Sequence, residues 1–188
     1  GPYQAFNISD PKPRNIHKAS VRDRLLHRAV YRVLYPFFDK KFINDSYSCR
    51  LGKGTHKAIK QFRKYFYKVS RNNTRICWVL KCDIRKFFAS IDHQVLTYII
   101  ATHIEDEDVN WLLFQIIQSF PKGLPLGNLT SQLLVNVYMD EFDQFMKHEL
   151  KAKYYIRYAD DFVILSTNKP YLFTVYRYIE GFLSKELK

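Results

Sequence analysis

No apolar run in the chain approaches the roughly 20 residues that a membrane-spanning helix needs. The longest candidate, Trp111 to Ile117, is broken by Gln115. The start also lacks the charged, apolar and small-residue succession of a secretory signal. Cysteine is sparse: Cys49, Cys77 and Cys82 are odd in number and none sits at metal-knuckle spacing. They read as free thiols of a reducing compartment, which points to the cytoplasm. Six scattered His form no Cys–His pair at ligand spacing, which argues against a zinc module. Internal repeats and low-complexity linkers are missing too. Acidic residues are outnumbered, 18 against 30 Lys and Arg, giving a formal net charge of +12. That balance says nothing of fold but favours a polyanionic partner such as nucleic acid.

What is present is an apolar, aromatic-rich chain of 188 residues, 47% hydrophobic and 16% aromatic. It is long enough to bury a solid core and too short for more than one or two domains. Gly1-Pro2 reads as a tag-cleavage scar, and residues 3–16 as an extended entry segment. From Ser20, a cap residue, the positions Val21, Leu25, Leu26, Ala29, Val30, Val33 and Leu34 recur at helical spacing until Pro36 ends the run. Residues 37–54 suggest short strands and a basic turn, after which Thr55 caps a second helix rich in Lys and Arg. The run from Ile76 to Ile84 reads as a buried strand ending at Asp83. Helices are expected over 92–103, 107–119 and about 128–151, and a turn-rich loop over 121–127. Two β-rich runs, 154–158 and 162–166, flank Ala159-Asp160-Asp161 and predict a hairpin; Pro170 opens a last helix.

The chemistry lies at the two strand ends. Adjacent carboxylates at a hairpin tip repel, and each raises the other's pKa. A divalent cation removes that cost, and Mg²⁺ favours hard oxygen ligands of this kind. Asp-Asp alone also fits a solvated turn. Asp83 at the end of a strand changes the weighing, because three carboxylates brought together could hold two metals and clamp both oxygens of an in-line phosphoryl displacement.

WVLKCDIRKFFASIDH resembles polymerase motif A, and YIRYADDFVIL resembles motif C of reverse transcriptases. GLPLGNLTSQLLVNVYMDEFD resembles motif B, and FINDSYSCRLGKGTHKAI the fingers segment that contacts the incoming nucleotide. The resemblance runs from about residue 20 to the C-terminus. It implies an α+β right-hand polymerase fold with fingers and palm, an antiparallel palm sheet, and no thumb within this chain. Residues 1–19 would be an N-terminal extension, 20–75 mainly fingers, and 76–188 palm with a fingers-like excursion at about 104–127.

The same resemblance assigns roles. Asp83, Asp160 and Asp161 would be catalytic and hold two Mg²⁺ (Mn²⁺ being an alternative), with the carbonyl of Ile84 as a further metal contact. Arg50 and Lys53 would bind the triphosphate, and Phe88 would exclude a ribose 2′-OH. Leu126, Gly127 and Gln132 would line the nascent base pair, and Tyr158 would meet the primer or template. His93 and Asp92 read as structural members of motif A. Implied partners are a template RNA, a primer and its cDNA strand, dNTPs and no membrane. Motif B departs from the commonest form: Leu126-Gly127 and Ser131-Gln132 replace Gln-Gly and Ser-Pro. That variant resembles the error-prone enzymes of diversity-generating retroelements, which would add a basic accessory subunit. Other readings are a group II intron, retron or phage-defence reverse transcriptase, a viral RNA-dependent RNA polymerase, and an inactive palm-fold fragment that only binds nucleic acid. Leu126 and Gln132 speak against the intron and retron types, and Phe88 against the viral polymerase.

Overall fold

The computed structural model describes residues 3–9 and 13–187, so the scar expected at 1–2 lies outside the described residues. Two compact units form, each from two stretches of chain: Gly1–Lys41 with Lys86–Tyr138, and Phe42–Arg85 with Met139–Lys188.

In the first unit, the segment expected merely to be extended pairs with itself. Strands β1 (Gln4–Ser9) and β2 (Pro13–Lys18) form an antiparallel hairpin in register Phe6↔Ile16. Helix α1 (Val21–Asp39) is capped by Ser20, whose hydroxyl accepts from the Asp23 N–H. It runs through Pro36 rather than ending there. A proline removes one helical N–H, and the burial of Phe38 (1% exposed) against the His103 ring holds the last turn in place. The buried face of α1 also differs from expectation. It is the 3-and-4-spaced set His27, Val30, Leu34 and Phe38, whereas Val21, Leu25 and Val33 stay exposed. Periodicity found the helix, but two apolar stripes competed for its inner side.

The short α3 (Phe87–Ser90) leads to α4 (His93–His103), which Asp92 caps by accepting from the Gln94 and Val95 amides. Helix α5 (Glu107–Gln118) starts from Asp106 in the same way. Leu96, Ile100, Leu113 and Ile117, each at most 2% exposed, make the core of this unit.

The second unit holds helix α2 (Thr55–Val69) and a three-stranded antiparallel sheet of β3 (Trp78–Asp83), β4 (Tyr155–Tyr158) and β5 (Asp161–Ser166) in the order β3-β5-β4. Gly54 takes the cap position of α2 at φ +107°, and Thr55 is its first residue rather than its cap. Residues 37–54 contain no strand; only an isolated bridge joins Ser46 to Arg157. Strand β3 is not buried as expected. Among the described strands its one partner is β5, and Trp78 and Val79 are 39% and 42% exposed. Its apolar run reflects an edge position with an open face, which sequence cannot distinguish from burial on both faces.

Helix α6 (Leu129–Gln144) begins in the first unit and ends in the second, where a π-helical turn, Phe145–Glu149, continues it. Its expected core face is present: Leu134, Tyr138 and Phe142 are buried, and Phe145 stacks on Phe182 at 4.3 Å. Helix α7 (Lys169–Phe182) closes the unit with Leu172, Val175 and Ile179 buried.

Candidate active site

Antiparallel register does the assembling in the second unit. Asp83 lies directly opposite Asp161 at one end of the β3–β5 ladder, and Tyr158 pairs with Asp161 across a two-residue turn, Ala159-Asp160. One carboxylate oxygen from each of Asp83, Asp160 and Asp161 falls within 4.8 Å of the others. The Ile84 amide donates to the Asp160 carbonyl at 3.3 Å, which ties the end of β3 to the turn. Like charges opposed on a sheet destabilise it. Lys81 offsets part of this, its Nζ 3.4 Å from Asp161, but both side chains are largely open to water. The donor set is all hard oxygen and converging, so it fits a divalent ion such as Mg²⁺.

The turn is held from beneath. Ala159 adopts φ +55°, a region that favours glycine. Its carbonyl accepts from Arg157 Nη1 at 3.0 Å. Arg157 is fully buried and forms a two-point pair with Asp143: Nε to Oδ1 at 2.8 Å and Nη2 to Oδ2 at 2.7 Å. Tyr155 donates to Asp143 as well, at 2.6 Å, and Arg157 Nη2 reaches Ser46 Oγ at 3.1 Å. One guanidinium thus joins helix α6, the aspartate turn and the loop before Arg50. This pair is not among the residues expected from the sequence. Its one signal was a charged residue inside the apolar strand YIRY.

Beside the pair, burial and the charge of Asp143 push Asp140 up to about 7 from an ordinary 3.8. A carboxyl whose folded pKa exceeds its unfolded pKa binds more protons when folded. It therefore costs nothing below about pH 4 and lowers stability progressively as pH rises towards 7. On the scale of about 1.4 kcal/mol per tenfold change, the full cost is of the order of 4 kcal/mol. Asp140→Asn is expected to melt higher than wild type at pH 8, with the difference shrinking towards pH 4. Thermal melts across that range check it.

The other expected residues are placed as follows. Arg50 donates to the Ile43 and Ser46 carbonyls at 2.6 and 3.1 Å, and Lys53 to the Asn44 carbonyl and side chain at 2.7 Å. Both cations are thus engaged by their own loop, and a triphosphate would compete with those bonds. The exposed Tyr158 hydroxyl accepts from Thr55 at 3.1 Å.

Phe88, Leu126, Gly127 and Gln132 belong to the first unit. Phe88 is half-buried while Phe87 is buried. The Leu126 carbonyl accepts from His17 at 2.9 Å, and a Cβ on Gly127 would meet Ile16 at 2.9 Å. The N-terminal hairpin therefore packs on the motif B loop. Gln132 sits half-buried in the first turn of α6, and its carbonyl accepts from Asn136. His93 Nε2 lies 2.6 Å from the Gly123 carbonyl.

Gly123 itself was not singled out in the sequence. At φ +66°, a Cβ there would lie 2.1 Å from the Phe88 carbonyl oxygen and 2.7 Å from Ala89 Cα. These are backbone atoms that cannot swing aside. Gly123→Ala is expected to cost about 3–5 kcal/mol, readable in a denaturant melt.

A family model for reverse transcriptase (RNA-dependent DNA polymerase) matches residues 9–186. The chain belongs to the reverse transcriptase family. Among curated relatives of this family, protein YkfC of Escherichia coli is 28% identical over 151 residues, covering 75% of this chain and 39% of the relative. The group II intron-encoded protein LtrA of Lactococcus lactis is 28% identical over 153 residues, or 76% of this chain and 24% of LtrA. The chain thus spans well under half the length of either. Among solved structures, telomerase from Candida tropicalis in complex with a fragment of telomeric RNA superposes with a TM-score of 0.74 at 12% identity, covering all of this chain and 39% of that one. A C-terminally truncated apo telomerase from the same organism gives 0.70 at 13% identity over all of this chain and 47% of that one. This likeness establishes the fold: α+β, the right-hand polymerase architecture of fingers and palm with antiparallel sheets. No described helix is long and apolar enough to cross a membrane.

Proposed function

We propose that this chain carries the nucleotidyl-transfer site of an RNA-directed DNA polymerase, with Asp83, Asp160 and Asp161 as its catalytic carboxylates. The observation that carries the proposal is the convergence of their oxygens within 4.8 Å inside a reverse transcriptase family match. Two Mg²⁺ bound there would polarise the primer 3′-OH and steady the pyrophosphate as it leaves. The chain's own residues do the rest. The three carboxylates fix the ions, and the Ile84 carbonyl adds an oxygen at the same strand end. Arg50 and Lys53 exchange their loop carbonyls for the triphosphate and balance its charge. Phe88 blocks a 2′-OH, and Tyr158 meets the primer end. Residues 20–75 act mainly as fingers and 76–188 as palm, on a template RNA with dNTPs.

The apolar Leu126 and the Ser131-Gln132 pair favour an error-prone enzyme of the diversity-generating type, working with a basic accessory subunit. A polar side chain lost beside the nascent base pair weakens the geometric check on the incoming nucleotide. Leu126→Gln is expected to lower misincorporation opposite template adenine about tenfold, the worth of one hydrogen bond. Sequencing the products checks it, and an unchanged error spectrum would sink the subtype. The 28% identity to a group II intron-encoded protein supports the second reading, an intron-type enzyme. That enzyme would copy adenine as faithfully as the other bases.

A further inference from the structure

Residues 46–82 contain ten Lys and Arg and not one Asp or Glu. The catalytic reading uses only the first few. Lys81 lies at the aspartate end, but Lys68, Arg71 and Arg75 gather at the far end of the sheet, where a groove of about 300 Å³ opens between the end of α2, the segment entering β4, and the Ser166 end of β5. Lys68, Arg71, Arg75, Lys151 and Lys153 line it, and no acidic residue does. A second cleft continues from it past Lys64, Tyr67 and Asn72 and shares Lys68 and Arg71. Asp161 and Ser166 stand at opposite ends of β5, so this surface lies about 17 Å along the strand from the carboxylates.

Local structure accounts for only a little of this charge. Helix α2 and the π-helical turn after α6 both end here, and each helix C-terminus offers about half a negative charge. Five cations exceed that by about four charges. Among the described residues, no ion pair takes up any of the five. Arg71 and Lys151 also stand at φ +47° and +50°, positions after a helix end where glycine is the usual residue. In both places a cation occupies the strained position. Tyr67, 49% exposed, offers a ring beside the cations on which an unpaired base can stack.

We propose that this surface is a second nucleic-acid site, which grips the phosphate backbone of single-stranded RNA outside the catalytic centre. The spacing of cations around an open groove with an aromatic at its margin suits a strand of phosphates and bases. That the strand is RNA rather than DNA rests on the proposed function. The site would hold the template, or RNA attached to it, while the strand being copied passes the aspartates.

Two measurements test it. In the first, a fluorescent 20-nucleotide oligo(U) is titrated with wild type and with Arg71→Asn/Arg75→Gln/Lys151→Asn, since Asn tolerates the left-handed positions. Loss of three phosphate contacts is expected to flatten the plot of log affinity against log salt by about 2 and to weaken binding about 100-fold at 0.1 M salt. In the second, lysine acetylation is followed by mass spectrometry. Oligo(U) is expected to protect Lys68, Lys151 and Lys153, and oligo(dT) to protect them less. Unchanged affinity and slope in the triple variant would overturn the proposal. So would protection of these lysines by phosphatidylserine vesicles and not by oligo(U), and so would equal protection by oligo(dT). Asp160→Asn, run alongside, separates the two ideas: it should bind oligo(U) as wild type does even though it cannot polymerise.

Discussion

Asp83→Asn is expected to reduce primer extension at least 10³-fold while leaving the metal-free protein as stable as wild type, or more so. The two halves of this result have one cause. Asp83 faces Asp161 across the ladder with Asp160 beside them, and Lys81, which offsets part of this charge, is exposed. Opposed like charges cost a sheet roughly 0.2–1 kcal/mol. Removing one should therefore raise the melting temperature by up to about 2–4 °C. The same oxygen is one of three available to the metals, and several kcal/mol of transition-state stabilisation depend on their placement. Added Mg²⁺ should stabilise wild type and not the variant. A melt and a primer-extension assay, each with and without Mg²⁺, check all parts. A variant that is both less stable and inactive would mean that Asp83 serves the fold.

Arg157→Met is expected to be the most damaging single change in the second unit. It leaves Asp143 charged, fully buried and unpaired, which costs about 3–5 kcal/mol. Adding Asp143→Asn removes the stranded charge and keeps an acceptor for Tyr155, so much of the stability should return. Activity should not return with it. The Ala159 carbonyl and the Ser46 hydroxyl still lack their donor, and the turn at φ +55° loses its anchor. A displacement of about 1 Å in a reacting group can cost about 10²-fold. The stabilised double variant should therefore remain about 10–100-fold slower and need more Mg²⁺ for half-maximal rate. Full recovery of rate with stability would reduce the pair to a packing role.

These residues also show what was legible in the sequence. The hairpin bearing Asp160 and Asp161 announced itself, because two β-rich runs on either side of a polar turn have few other solutions. Helices α4 to α7 were legible as segments, while the caps Asp92 and Asp106 are seen only in the fold. The exposure of β3 was not legible, since an edge strand with one open face and a buried central strand can share one apolar run. Pro36 misled because local chain stiffness was outweighed by the burial of Phe38, a tertiary term. The Asp143–Arg157 pair joins residues fourteen apart through a helix end and a strand, and only the fold brings them together. In sequence Gly123 is one glycine in a loop, and only the fold sets the Phe88 carbonyl against it.

In our proposal the carboxylate cluster drives RNA-templated DNA synthesis. Its most direct test is incorporation of a single dNTP on an RNA template–DNA primer with Mg²⁺, in the natural full-length polypeptide carrying this chain. Wild type is compared with Asp160→Ala/Asp161→Ala. Extension is expected from wild type and none from the double variant, with RNA binding equal in both. Extension that survives loss of both aspartates, or a wild type that binds RNA and never extends, would contradict it.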